Sequence, residues 1–249
     1  MKRVRFLSFF LPMMILCSFG CSHNVDEPKE NEDETNRPPV AKAIPINISM
    51  GAFSRVTDTN YENNDKIGLY VVNYVGGNPG SLVSTGNHVD NVGFTYKNGK
   101  WTPDYEVFWK DNTTKADFYS YYPFMKIENV ESVSIGVQTD QSTIESYKSS
   151  EFLWGKAYGI IPTSSAVNIV TNRVVSCMVV DVKPGEGYTE EELASTDVDV
   201  RICNVQTSAS LNLKNGITTP LGKLSTIVPY KIDGTYKALL VPQVINGEP

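Results

Sequence analysis

Two tandem antiparallel β-sandwich domains, an all-β fold, are predicted for this 249-residue chain by three observations. Tight-turn dipeptides Asn98-Gly99, Asn215-Gly216 and Asp233-Gly234 follow strand-like runs, and such pairs supply the positive φ angles that two-residue hairpins require. Short runs rich in β-branched and aromatic residues recur along the chain. Helical periodicity is almost absent.

In chain order, residues 1–20 read as a secretion signal: Lys2, Arg3 and Arg5 precede an apolar run from Phe6 to Phe19 that is short for a membrane span. It ends in Ser18-Phe19-Gly20-Cys21, the pattern of a bacterial lipoprotein signal, with Cys21 as the residue to be lipidated; an aliphatic residue is more usual where Ser18 stands. Residues 21–40 form an acidic tether carrying Asp26, Glu27, Glu30, Glu32, Asp33 and Glu34, too polar to bury a core. A first strand then alternates: Ile44, Ile46, Ile48 and Met50 face one way, and Pro45, Asn47 and Ser49 the other. Pro45 lacks an N–H donor, which suits a sheet edge. Further strands are expected at Ile67–Tyr74, Tyr105–Trp109, Ala116–Tyr122, Val133–Val137, Val174–Lys183 and Val198–Val205. One short helix is expected where Thr189 and Glu192 form a capping box. A first domain over 41–163 and a second over 164–249 follow from this spacing.

Composition excludes some functions. The net charge of −6 offers no basic patch for nucleic acid. Two histidines, His23 beside the lipidation position and His88 in a Gly/Asn-rich loop, give no catalytic triad, and neither a nucleophile elbow nor a phosphate loop is present. Asp104 and Glu106 read as a solvated strand face rather than a carboxylate pair, and Glu190, Glu191 and Glu192 as favourable charge at a helix start. No metal motif or cofactor site is expected. Of the four cysteines, Cys17 leaves with the signal; Cys177 and Cys203 stay open between a disulfide and two free thiols. Trp101, Trp109, Trp154 and the cluster Phe118, Tyr119, Tyr121, Tyr122 and Phe124 are residue types that stack on sugars, although alternating aromatics in strands more often pack a core.

Five segments in order resemble a known family: Ser54–Val71 (SRVTDTNYENNDKIGLYV), Asp117–Pro123 (DFYSYYP), Thr139–Gly155, Arg173–Thr189 (RVVSCMVVDVKPGEGYT) and Ala238–Gln243 (ALLVPQ). Together they are similar to the fimbrillin-type proteins of the Bacteroidales, Mfa-like or type V pilins. The resemblance implies transthyretin-like sandwich domains and a non-enzymatic shaft, tip or anchor subunit at the outer membrane and cell surface. Such proteins usually continue past the Val-Pro-Gln strand, so an incomplete second sandwich ending at Pro249 is expected.

The resemblance also implies a mechanism. An arginine- or trypsin-like protease would cut after Arg55, and the strand holding Ile44, Ile46, Ile48 and Met50 would leave. An extended segment of another pilin subunit would then take its place by β-augmentation. Vacating four apolar positions, at about 1.5–3 kcal/mol each, exposes about 6–12 kcal/mol of burial. Arg37 in the tether is the rival cut site, where cleavage would shed only the lipid. The alternative is a surface lipoprotein that binds glycan or host protein without polymerising.

Overall fold

Both faces of the central sheet are buried, and that sets the architecture. The computed structural model describes residues 43–52 and 61–244. Its strands are β1 (Ile48–Ala52), β2 (Lys66–Asn73), β3 (Val89–Lys97), β4 (Lys100–Pro103), β5 (Ala116–Tyr122), β6 (Val133–Gly136), β7 (Leu153–Ile160), β8 (Val167–Arg173), β9 (Ser176–Asp181), β10 (Ile202–Asn212), β11 (Ile217–Ile227), β12 (Tyr230–Ile232) and β13 (Thr235–Leu240). Two short helices are α1 (Ile144–Lys148) and α2 (Glu190–Ser195). The expected all-β, sandwich-type fold is what the chain adopts.

Seven strands form one sheet in the order β1-β8-β7-β5-β2-β3-β4. Two three-stranded sheets, β11-β10-β6 and β12-β13-β9, complete the structure. Pairing is antiparallel except for β1, which runs parallel to β8. Along β2, Ile67, Leu69 and Val71 enter one core with Phe94, Phe118 and Ile169. Tyr70 and Val72 enter the other core with Tyr121, Val133, Leu211 and Leu239. The two cores therefore share the large sheet as a common wall. Sheet membership does not follow residue 163: β8 lies beyond it yet joins the large sheet, while β6 lies before it and pairs with β10.

Turn chemistry acts as the dipeptides require at two of three places. Asn98 and Gly99 (φ 51° and 81°) close β3 onto β4, with Lys97 opposite Lys100. Asp233 and Gly234 (φ 51° and 77°) do the same between Ile232 and Thr235. Asn215-Gly216 instead sits in a longer loop, because Asn212 pairs with Ile217 and the Gly216 N–H returns to the Asn212 carbonyl at 2.7 Å.

The capping box at Thr189 and Glu192 opens α2. A second box opens α1, where Thr143 pairs with Ser146 rather than with an acid or amide. Tyr105–Trp109 is a correction: it forms no strand, only a single bridge from Phe108 to Pro45. Two glutamines, buried Gln141 and half-buried Gln243, imitate strand partners. The Gln141 side chain accepts from the Leu239 N–H (2.8 Å) and donates to the Leu239 carbonyl (2.8 Å). Gln243 does the same to Gln206, with both bonds at 2.8 Å.

Candidate functional site

The first strand closes one end of the large sheet, and its side chains complete the core beneath. Ile46 (3 % exposed) and Ile48 (6 %) are buried among Leu69, Val107, Trp109, Phe118, Val167 and Ile169. Ile44 and Met50 are half-buried against the same cluster. Pro45 and Asn47 are exposed and Ser49 is intermediate.

The backbone is held on two sides in succession. Over 44–46 it faces the loop 107–109: the Ile46 N–H donates to the Val107 carbonyl (2.8 Å), and the Trp109 N–H donates to the Ile44 carbonyl (2.9 Å). These bonds straddle Pro45, so its missing N–H costs nothing there. Over Ile48–Ala52 the strand pairs in parallel with Val167–Thr171. Side chains add weaker ties: Asn47 Nδ2 to the Ser164 carbonyl (3.3 Å), Ser49 Oγ to Asn168 Oδ1 (3.4 Å), and Thr171 Oγ1 to the Gly51 carbonyl (3.3 Å). The loop 107–109 is fixed in turn by Trp109 Nε1, which donates to the Thr163 carbonyl at 3.1 Å.

Cys21, His23, Arg37 and Arg55 lie outside the described residues. The two remaining cysteines are free thiols: Cys177 on β9 is half-buried, its Sγ 3.6 Å from the Tyr147 hydroxyl, and Cys203 on β10 is exposed. They stand on strands of different sheets. His88 is exposed and bonded through Nε2 to the Phe108 carbonyl (2.7 Å). Asp104 pairs with Lys66 at 2.8 Å rather than with Glu106. Among the described residues no cluster of His, Cys, Asp and Glu is arranged to hold a metal ion, and no helix is long and apolar enough to cross a membrane.

The aromatic candidates divide. Trp109, Phe118, Tyr119 and Tyr121 are buried packing residues. Trp154 is half-buried and tied by Nε1 to the Leu213 carbonyl at 2.8 Å. Trp101 and Tyr122 are half-buried and join two rings not singled out from the sequence, Tyr61 and Tyr96. Sequence reasoning also missed the buried pair Glu151–Arg173, with side chains 8 % and 11 % exposed. Its members stand 22 residues apart in separate strings, SEFLWG and RVVSC, and only the fold brings them together.

A model of fimbrillin-like proteins matches residues 54–248. The chain belongs to the fimbrillin-like family. Among solved structures, this fimbrillin-like chain is similar to a candidate cell adhesion protein from Bacteroides uniformis ATCC 8492, with TM-score 0.59 and 22 % identity over 82 % of this chain and 76 % of that one. A candidate cell adhesion protein from Bacteroides ovatus ATCC 8483 gives TM-score 0.59 at 15 % identity, covering 81 % of this chain and 78 % of the other. At these identities the likeness establishes the shared fold. No curated protein matches. The family match begins at Ser54, just after β1, so the first strand of this fimbrillin-like protein lies outside the matched span.

Proposed function

We propose that this fimbrillin-like protein is a cell-surface subunit of a fimbrium that joins its neighbours by strand exchange. A lipid on Cys21 holds the precursor at the outer membrane. An arginine- or trypsin-like protease then cuts after Arg55, and the strand carrying Ile44, Ile46, Ile48 and Met50 is released. An extended segment of another subunit fills the vacated groove.

One observation carries this reading: two buried isoleucines of the core, Ile48 on the end strand β1 and Ile46 two residues before it, lie shortly before the point where the family match starts. Ile46 and Ile48 contribute about 3–6 kcal/mol of burial together, and half-buried Ile44 and Met50 add to it. Removing β1 also strips the ladder partner from Val167–Thr171. An apolar groove beside an unpaired strand is a template for augmentation. The cell adhesion descriptions of the two similar Bacteroides proteins fit a surface role.

The test is the native N-terminus, read by mass spectrometry of protein sheared from producing cells. A chain starting at Val56, abolished together with assembly by Arg55→Ala, is expected. A lipid-bearing Cys21 as the sole N-terminus, or a start at Pro38 after cleavage at Arg37, would overturn strand release.

A further inference from the structure

A cleft of about 400 Å³ opens where the ends of β5, β7 and β8 meet α1 and the β12–β13 hairpin. None of Ile44, Ile46, Ile48 or Met50 lines it. Its volume falls within the range of small-molecule sites, roughly 300–1,000 Å³. We propose that it binds a neutral saccharide, independently of strand exchange.

The charged groups of the wall come in opposed sets. Arg173 grips Glu151 through two parallel hydrogen bonds, Nε to Oε1 at 2.7 Å and Nη2 to Oε2 at 2.6 Å. Lys148 Nζ meets Glu62 Oε1 at 2.5 Å. Asp65 accepts from the Tyr122 hydroxyl (3.1 Å) and from the Glu62 N–H (2.7 Å). Lys237 supplies the remaining cation. An anionic ligand would meet three carboxylates, and a cationic one two lysines and an arginine. A sugar hydroxyl both donates and accepts, so it can pair with either member of such a set. Arg173 keeps guanidinium N–H groups that Glu151 does not take, because only Nε and one Nη2 bond are used.

Tyrosines supply the apolar surface. Tyr61 and Tyr122 line the cleft on the large-sheet side, and Tyr147 and Tyr230, with ring centroids 5.7 Å apart, line it near α1 and β12. From Tyr61 the aromatic surface continues outward: its ring is edge-on to Trp101 (4.9 Å, 82°), and Trp101 lies 5.1 Å from Tyr96. Tyr61, Tyr96, Trp101 and Tyr122 are all half-buried. This surface matches the C–H faces of a pyranose ring, while the interleaved polar groups match its rim. Six of the thirteen lining residues stand on strands and three on α1, and the forked ion pair braces the wall, so binding orders little.

The test is retention of the full chain on an array of neutral and acidic oligosaccharides, followed by calorimetric titration with the retained sugar. A neutral saccharide is expected to bind, and Tyr230→Ala to weaken it at least tenfold. Tyr230 also packs against the core, so Ile144→Arg is the second variant. Ile144 lines the cleft with 36 % of its surface exposed, and an arginine there obstructs the opening while leaving the core intact. It too should lose at least tenfold. Arg55→Ala should bind like the unaltered chain, which separates this site from strand exchange. No neutral saccharide retained, a preference for acidic ones, or affinity unchanged in both cleft variants would overturn the proposal.

Discussion

Replacing Ile48 with alanine probes whether β1 is part of the folded core before any cleavage. Ile48 is buried at 6 % exposure among the cluster that includes Leu69, Phe118 and Ile169. Truncating a buried isoleucine to alanine typically costs about 2–5 kcal/mol, with the spread set by how far the site relaxes. A terminal strand can shift to close part of the cavity, which places this site in the lower half, at about 2–3.5 kcal/mol. For a folded unit of this size each 1 kcal/mol moves the melting midpoint by about 2–4 °C, so a drop of about 4–14 °C is expected. Asn47→Ala is the control. Its neighbour in sequence is exposed, its side chain holds a 3.3 Å bond to Ser164, and its backbone bond from the Val167 N–H survives the change, so stability should move by about 0.5 kcal/mol or less. Calorimetry of the full chain measures both. Equal midpoints for the two variants would refute the burial of β1 and remove the groove on which the proposed strand exchange depends.

Glu151→Ala leaves the Arg173 guanidinium buried without its partner and should cost about 3–5 kcal/mol in urea unfolding. Glu128→Ala, which breaks the exposed 3.7 Å pair with Lys126, should change stability by about 0.5 kcal/mol or less, and similar losses in the two would contradict the structure. Gln141→Leu removes the partners of the Leu239 N–H and carbonyl and should cost at least about 2 kcal/mol, with faster hydrogen exchange at the Leu239 amide. Hydrogen bonds from the Thr114 hydroxyl and from the Thr114 and Thr113 N–H groups hold the Asp111 carboxyl below its ordinary 3.8. A depressed folded value means that its stabilisation is complete above pH 3.8 and is lost as the pH falls through that lower value. A carboxyl titration by NMR with its midpoint at or above 3.8 would contradict this.

How far the fold was legible depended on whether a strand buries one face or two. Ala116–Tyr122 coincides with β5, and Ile67–Tyr74 differs from β2 by one residue at each end, because mostly apolar and aromatic runs, interrupted only by Asp117 and Ser120 in one and by Gly68 and Asn73 in the other, mark strands covered on both sides. The same runs conceal which core each residue enters, so the sequence suggests two tandem sandwiches without showing that their two cores share the large sheet as a wall. Tyr105–Trp109 has strand composition, but its one ladder-like partner among the described residues is the short stretch Ile44 to Ile46, and an Asx-type turn at Asp111 ends it. Strands β7 and β8 were missed as elements: Gly155 and Gly159 interrupt one, and Asn168 and Asn172 the other. The alternation of Ile44 to Met50 was visible, whereas the parallel partner at Val167–Thr171 was not, since nothing local encodes a pairing some 120 residues away. The cleft was hidden for the same reason, its wall being assembled from seven separate stretches of chain.

The pairing of β8 bears on what could replace β1. β8 shares a ladder with β7 only over Thr171, Asn172 and Arg173, so Val167–Val170 rely on β1 for theirs. Loss of β1 therefore removes backbone partners as well as apolar cover, and two responses compete: the groove collapses, or a new strand enters. Collapse would require the loop 107–109 to swing onto β8. The Trp109 bond to Thr163 ties that loop to the segment leading into β8, and buried Val107 and Trp109 pack into the core at its current position. Those restraints hold the groove near its occupied shape, which favours entry. An entering strand recovers both sets of backbone bonds only by running parallel to β8, as β1 does, with apolar residues at alternate positions facing Leu69, Phe118 and Ile169. The position opposite Phe108 needs no N–H, because the flanking residues make both bonds there. Under the proposed strand exchange, a donor peptide with this alternation should bind the chain cleaved after Arg55 and tolerate proline at that one position. Proline one residue later, at the position of Ile46, removes the donor to Val107 and should weaken binding.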